Sequence, residues 1–267
     1  MTLRDAWEAE ARNWIAWATT PGHDSYWKFH RDVFLPSLPP PPCRVVDVGC
    51  GEGRLPRDLK RLGYDVVGVD GSPTLIAAAR EADPEGRYEV ADAASLPLAD
   101  ASADLVTAFM SLHDIDDIDG ALREIVRVLV AGGRLRAAIV HPINSAGRFS
   151  TREPDARFEI RGSYFEERRS NDAFERDGLM ITFASMHRSL ERIASAMLDA
   201  GLLIDHVVEV PDWSDPEGSP WRRLPLFLHL GALKPPLTDV AARPHDPPVT
   251  RPRSSMAMPG RSIRRRG

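Results

Sequence analysis

Between Cys43 and His141, short apolar runs alternate with amphipathic stretches, and that alternation restricts the chain to few architectures. CRVVDV (43–48), YDVVGVD (64–70), ADLVTAFM (103–110) and GRLRAAIVH (133–141) read as strands, with a shorter one near Arg87–Ala91. Helical spacing covers Arg54–Leu62, Pro73–Ala82 and Ile118–Val130. Ser72 is placed to cap the second of these helices, with Pro73 at its first position. Gly132 and Gly133 are expected to stop the third. Strands apolar along their whole length need cover on both faces, and strands separated by helices pair in parallel. The expected class is therefore α/β, with a doubly wound sheet.

The flanks read differently. Residues 3–19 repeat apolar positions at helical spacing and put Trp7, Trp14 and Trp17 on one face; core packing is the expected role of these three. A short helix is expected over Ser25–Leu35, and Pro39 to Pro42 form a stiff connector. The pattern breaks at 143–187. There RFEIRGSYF (157–165) and LMITFASM (179–186) flank a polar stretch around Asn171–Gly178, which reads as an antiparallel hairpin laid over the sheet. A helix at Leu190–Ala200, stopped by Gly201, precedes strands at 202–210 and 224–233. The expected division is a cap and connector over 1–42, a main domain over 43–234 carrying the 143–187 insert, and a disordered Pro/Arg-rich tail over 235–267.

Of the 267 residues, 43% are apolar and 27% charged, which excludes a disordered, collagen-like or membrane-spanning chain. The net charge of −5 hides an asymmetry: residues 235–267 hold seven arginines against two aspartates, so residues 1–234 carry −10. An acidic body argues against nucleic acid as the main partner, and no segment suits a membrane. Cys43 and Cys50 stand about 23 Å apart in extended chain, too far for a disulfide, and no Cys/His metal spacing appears. With Asp and Glu where a signal peptide needs an apolar run, the expected compartment is the cytoplasm.

The densest chemistry lies at the end of the first strand, in Asp47-Val48-Gly49-Cys50-Gly51-Glu52-Gly53-Arg54. Glycines there let backbone approach a ligand, beyond the carboxyl ends of parallel strands where open α/β sheets bind. The dinucleotide fingerprint GxGxxG would need glycine at Arg54. Asp47 and Glu52 would also repel a pyrophosphate, whereas they attract a cation such as an ammonium or a sulfonium.

VVDVGCGEG resembles the first motif of the class I S-adenosylmethionine-dependent methyltransferases, and the resemblance continues in order over residues 43–141. Asp70, 21 residues past Gly49, falls where that family places an acidic residue on the ribose hydroxyls. Asp92-Ala93 falls where it holds adenine, and LPLADASADLVTAFMSLHDIDD (96–117) resembles its fourth strand and following loop. The resemblance implies a Rossmann-like, seven-stranded, mostly parallel sheet whose last strand is antiparallel. It implies S-adenosylmethionine as cofactor, bound by Asp47, Gly49, Cys50, Gly51, Asp70, Gly71, Asp92, Ala93, Met110 and Ser111. The N-terminal helices and the insert would form a lid over a small-molecule methyl acceptor.

Methyl transfer from a sulfonium needs chiefly in-line alignment, and a hydroxyl or ammonium acceptor also needs a base. His113, following the fourth strand, is the first candidate base, and His141, ending the fifth, is the second. Tyr26 and Trp27 are the expected aromatic ligand contacts; His187 and Arg188 are expected to be structural, and His23 and His30 are weaker candidates still. Two other readings remain: a nucleic-acid or protein methyltransferase, and a non-catalytic binder of S-adenosylmethionine or S-adenosylhomocysteine. Amino-methylating nucleic-acid enzymes usually carry Asn/Asp-Pro-Pro-aromatic after the fourth strand, where this chain has Phe109-Met110-Ser111-Leu112-His113.

Overall fold

Seven strands form one sheet in the computed structural model, which describes residues 1–214 and 218–236. In chain order they are β1 (Arg44–Val48), β2 (Asp65–Asp70), β3 (Arg87–Val90), β4 (Ala103–Phe109), β5 (Leu129–Val140), β10 (Leu203–Val210) and β11 (Phe227–Leu233). Their spatial order is β3-β2-β1-β4-β5-β11-β10, and only β11 runs antiparallel to its neighbours. The chain builds outward from β1 to β3 and then returns to pair β4 on the other side of β1. The connections on the two sides therefore diverge and leave a crevice at the carboxyl ends of β1 and β4.

Alternation along these strands divides the core between the two faces. Val46, Val48, Val106, Ala108, Leu135, Ala137 and Ile139 pack against α5 (Ile118–Val128) and α7 (Leu190–Asp199) through Leu122, Ile125, Ile193 and Met197. On the other face, Val45, Leu105 and Ala138 meet Leu55 and Leu59 of α3 (Arg54–Arg61) together with Tyr26, Phe34 and Leu38. α4 (Pro73–Ala82) is capped as expected: the Ser72 hydroxyl accepts the Leu75 N–H, and Pro73 opens the helix. α1 (Leu3–Thr19) starts on a capping box between Thr2 and Asp5, then packs across α4. No helix among the described residues is long and apolar enough to cross a membrane.

One expected helix end needs correction. Gly132 and Gly133 do not stop α5, which ends at Val128 and runs straight into β5. Gly132 instead takes φ +80° inside the strand, where the register against β4 shifts by a bulge. The helix expected over Ser25–Leu35 is present, with a π-helical first part, Tyr26–His30, followed by α2 (Arg31–Phe34) and a 3₁₀ turn.

The insert holds two ribbons rather than one. After the short α6 (Pro142–Ala146), β6 (Gly147–Phe149) pairs with β7 (Phe158–Ile160). A separate hairpin joins β8 (Arg168–Arg176) to β9 (Leu179–His187) through Asp177-Gly178. β8 is almost wholly exposed and polar, so it carries no apolar alternation by which to recognise a strand. β9 packs on α1. The disordered tail expected over 235–267 lies, from Leu237 onward, outside the described residues.

Candidate active site

The turn after β1 is held from below. The amides of Gly49 and Cys50 both donate to the Val69 carbonyl, at 2.7 and 3.0 Å. Gly49 stands at φ +73°, and a Cβ there would come within 2.3 Å of the Ser111 Cβ. Only glycine satisfies both the backbone and that close approach. Ser111 is itself pinned by its hydroxyl, which donates to the Val48 carbonyl at 2.6 Å. Met110 just before it sits at φ 55°, an uncommon state for a side-chain-bearing residue; such states tend to occur at functional sites.

Carboxylates crowd this turn. Asp70 at the end of β2 accepts the Gly51 N–H on one oxygen and the Ser72 N–H on the other, both at 2.8 Å. Asp47 is buried beneath the turn and accepts the Thr107 hydroxyl at 2.6 Å. Burial pushes the Asp47 carboxyl up to about 7, and the neighbouring Asp70 and Glu52 charges add to the rise. Burial also raises Glu52, which accepts the Trp14 indole N–H at 2.9 Å, and raises Asp70. Asp114, in the loop after β4, is raised well above the carboxylate range for the same reason. Four desolvated acids in one crevice favour an incoming cation, which lowers the cost of ionising each of them.

All ten residues expected at the cofactor line one cavity of about 1780 Å³: Asp47, Gly49, Cys50, Gly51, Asp70, Gly71, Asp92, Ala93, Met110 and Ser111. His113 lines it too. Burial, then the Arg188 guanidinium, pushes its imidazole down to about 3. Its Nε2 lies 3.6 Å from Asp114, while its Nδ1 is buried and lacks a partner among the described residues.

His141 is not brought to the cavity. Its Nδ1 accepts the Ile143 N–H to cap α6, and its Nε2 lies 3.0 Å from Glu209, so both ring nitrogens are engaged. The aromatic expectations are reversed. Tyr26 is fully buried and donates to Asp58 at 2.7 Å, and Trp27 faces solvent. Trp7, Trp14 and Trp17 line the cavity instead, gathered around Phe183 of β9 with ring centroids 6.1 to 6.3 Å from it. His187 is structural, set between the Ser145 hydroxyl and the Tyr164 carbonyl. Buried Arg188 donates to the carbonyls of Ile115 and Asp116 and to Glu167, tying the loop after β4 to the insert.

The N-terminal helix reaches the site, and two of its residues that the sequence reading does not single out, Arg4 and Glu8, contact the turn after β2. Glu8 accepts the Thr74 hydroxyl at 2.6 Å and also the Ser72 hydroxyl, while Arg4 donates to the Gly71 carbonyl at 3.0 Å. The signal was available: positions 4, 8, 11 and 14 share one helical face, and that face mixes charge with tryptophan.

Residues 46–137 match the family described as "Methyltransferase domain". Over 120 residues the chain is 39% identical to a demethylmenaquinone methyltransferase of Thermus thermophilus, covering 43% of this chain and 54% of that one. Over 92 residues it is 36% identical to a malonyl-[acyl-carrier protein] O-methyltransferase of Enterobacter lignolyticus, covering 34% and 37%. The chain thus spans about half or less of these relatives' lengths. An S-adenosylmethionine dependent methyltransferase from Mesorhizobium loti superposes with a TM-score of 0.62 at 25% identity, over 79% of this chain and 98% of that one. The chain thus shares its motif-bearing segment with a methyltransferase domain, and nearly the whole extent of a solved S-adenosylmethionine dependent methyltransferase.

Proposed function

We infer that this protein transfers a methyl group from S-adenosylmethionine to a nucleophilic atom of a small-molecule acceptor. The donor set suits that cofactor. Each Asp70 oxygen accepts one backbone N–H and keeps a lone pair for a ribose hydroxyl. Asp92 and Ala93 line the cavity at the end of β3, where adenine would sit, and the glycine turn leaves room for backbone approach. The raised carboxyls of Asp47, Glu52 and Asp114 complement the ammonium and sulfonium charges. When bound, S-adenosylmethionine supplies a methyl group on a sulfonium, already a good leaving group.

What remains for the chain is alignment and exclusion of water. Trp7, Trp14, Trp17 and Phe183 form an apolar roof for that purpose. His113 lines the cavity, with its unpartnered Nδ1 buried in the wall. With its pKa near 3, His113 is uncharged at neutral pH and is a weak base for the acceptor. The relatives are named for different acceptors, so the acceptor class rests on the cavity.

The convergence of the β1, β2, β3 and β4 ends on one acid-lined cavity carries this reading. Calorimetry with S-adenosylmethionine and S-adenosylhomocysteine, followed by single-turnover transfer of a labelled methyl group to small molecules of a cell extract, tests it. Binding of both ligands and a product heavier by CH₂ are expected. Binding without any transfer favours a sensor of the cofactor, and absence of binding refutes the site assignment.

A further inference from the structure

Seven arginines line the cavity, and they divide sharply by what they touch. Arg4 donates to the Gly71 carbonyl, Arg54 pairs with Asp24, Arg168 donates to the carbonyls of Ser145 and Ala146, and Arg176 donates to the Gly22 carbonyl. Arg148, Arg152 and Arg161 have no ion pair or side-chain hydrogen bond among the described residues. All three belong to the β6–β7 ribbon or its margins. Even Glu159, directly opposite Arg148 in that ribbon, makes no ion pair with it.

An unpaired arginine on a convex surface is ordinary. Three on one concave wall repel one another, and a cavity concentrates their field. The wall is also firmly built. The Arg161 amide donates to the Ala146 carbonyl at 3.0 Å, and Phe149, Phe158 and Trp221 pack edge to face on one another at the ribbon. Asp172 and Glu175 of β8 line the cavity as well, so the positive field belongs to the ribbon and not to the whole insert.

The desolvated carboxylates gather around the glycine turn, and the free guanidiniums gather on the ribbon. A single small ligand fills about 300–1,000 Å³, whereas this cavity holds about 1780 Å³, room for a cofactor and an acceptor together. We propose that the methyl acceptor is an anionic small molecule whose carboxylate or phosphate group is held by Arg148, Arg152 and Arg161. This rests on the methyltransferase reading and narrows its substrate class. Guanidinium forks suit both groups through paired N–H donors.

The test is calorimetric titration of the full chain, loaded with S-adenosylhomocysteine, with phenyl phosphate, benzoate and neutral benzamide. At least one of the two anions binds the wild type, and benzamide binds at least about tenfold more weakly, as a charge-assisted contact requires. The triple variant Arg148→Gln, Arg152→Gln, Arg161→Gln weakens the anion by about tenfold or more and keeps its affinity for S-adenosylhomocysteine. Arg157→Gln, on the same ribbon but outside the cavity lining, leaves both affinities unchanged. The tighter of the two anions distinguishes a phosphate acceptor from a carboxylate. The proposal falls if neither anion binds, if benzamide binds equally well, or if the triple variant binds the anion as the wild type does. It also falls if a 20-nucleotide RNA binds through these arginines more tightly than phenyl phosphate. Failure of S-adenosylhomocysteine to bind defeats the methyltransferase reading instead, and titrating the unloaded protein still decides the role of the arginines.

Discussion

Asp47 contributes to the pH dependence of stability without cofactor, and replacing it by asparagine isolates that contribution. Burial raises its carboxyl from 3.8 to about 7, so the folded chain holds this proton over a range in which the unfolded chain has released it. Stability therefore falls as pH climbs from about 4 to about 7. At 1.36 kcal/mol per pH unit the full span amounts to about 4 kcal/mol. Asp47→Asn keeps the size and an oxygen for the Thr107 hydroxyl but carries no charge. Any cost of the new amide is the same at every pH and cancels in a comparison across pH. Urea unfolding without cofactor, run at pH 5 and pH 8, should show the variant gaining on the wild type by up to about 3 kcal/mol between the two. A gap that stays constant, or that closes as pH rises, would refute the assignment of Asp47 as a desolvated carboxyl.

The same carboxyls predict proton release on binding a cation. Affinity for S-adenosylmethionine should rise from pH 6 to pH 8 more than affinity for S-adenosylhomocysteine, whose sulfur is neutral, because the cation lowers the raised Asp47, Glu52 and Asp70. Calorimetry in buffers of different ionisation enthalpy checks this, and proton uptake would contradict it. Gly49→Ala meets both the φ of +73° and the Ser111 Cβ, so it should lose more than about 2 kcal/mol and fail to bind S-adenosylhomocysteine. Gly178→Ala, at φ +79° in open space, should lose about 1 kcal/mol and bind normally; equal effects on binding in the two variants would remove the special role of Gly49.

The central sheet was legible because β1, β2, β4 and β5 are largely apolar and the helices between them show their period, and Ser72-Pro73 marks a boundary by its chemistry. Glycines at the end of β1 and the acid at the end of β2 pointed to the crevice for the same reason. The insert was not legible. β8 faces solvent along almost its whole length, so a polar strand and a polar loop look alike in one dimension. The three tryptophans of the N-terminal helix were not legible as cavity lining for the opposite reason. Trp7, Trp14 and Trp17 have the spacing of core residues, and nothing local tells a buried wall from a cavity wall. His141 fell where a strand end and a helix cap coincide, and the following Pro142 was a hint toward the cap.

Buried Arg188 gives a practical boundary to any exchange of parts. Its guanidinium clasps the carbonyls of Ile115 and Asp116 on one side and Glu167 on the other. A chimera that swaps residues 143–187 for a relative's segment, in search of new acceptors, therefore also removes one end of a clasp that steadies His113 and Asp114. Grafts that carry Glu167 along keep the floor of the pocket intact while its walls are redesigned; those that omit it alter both at once.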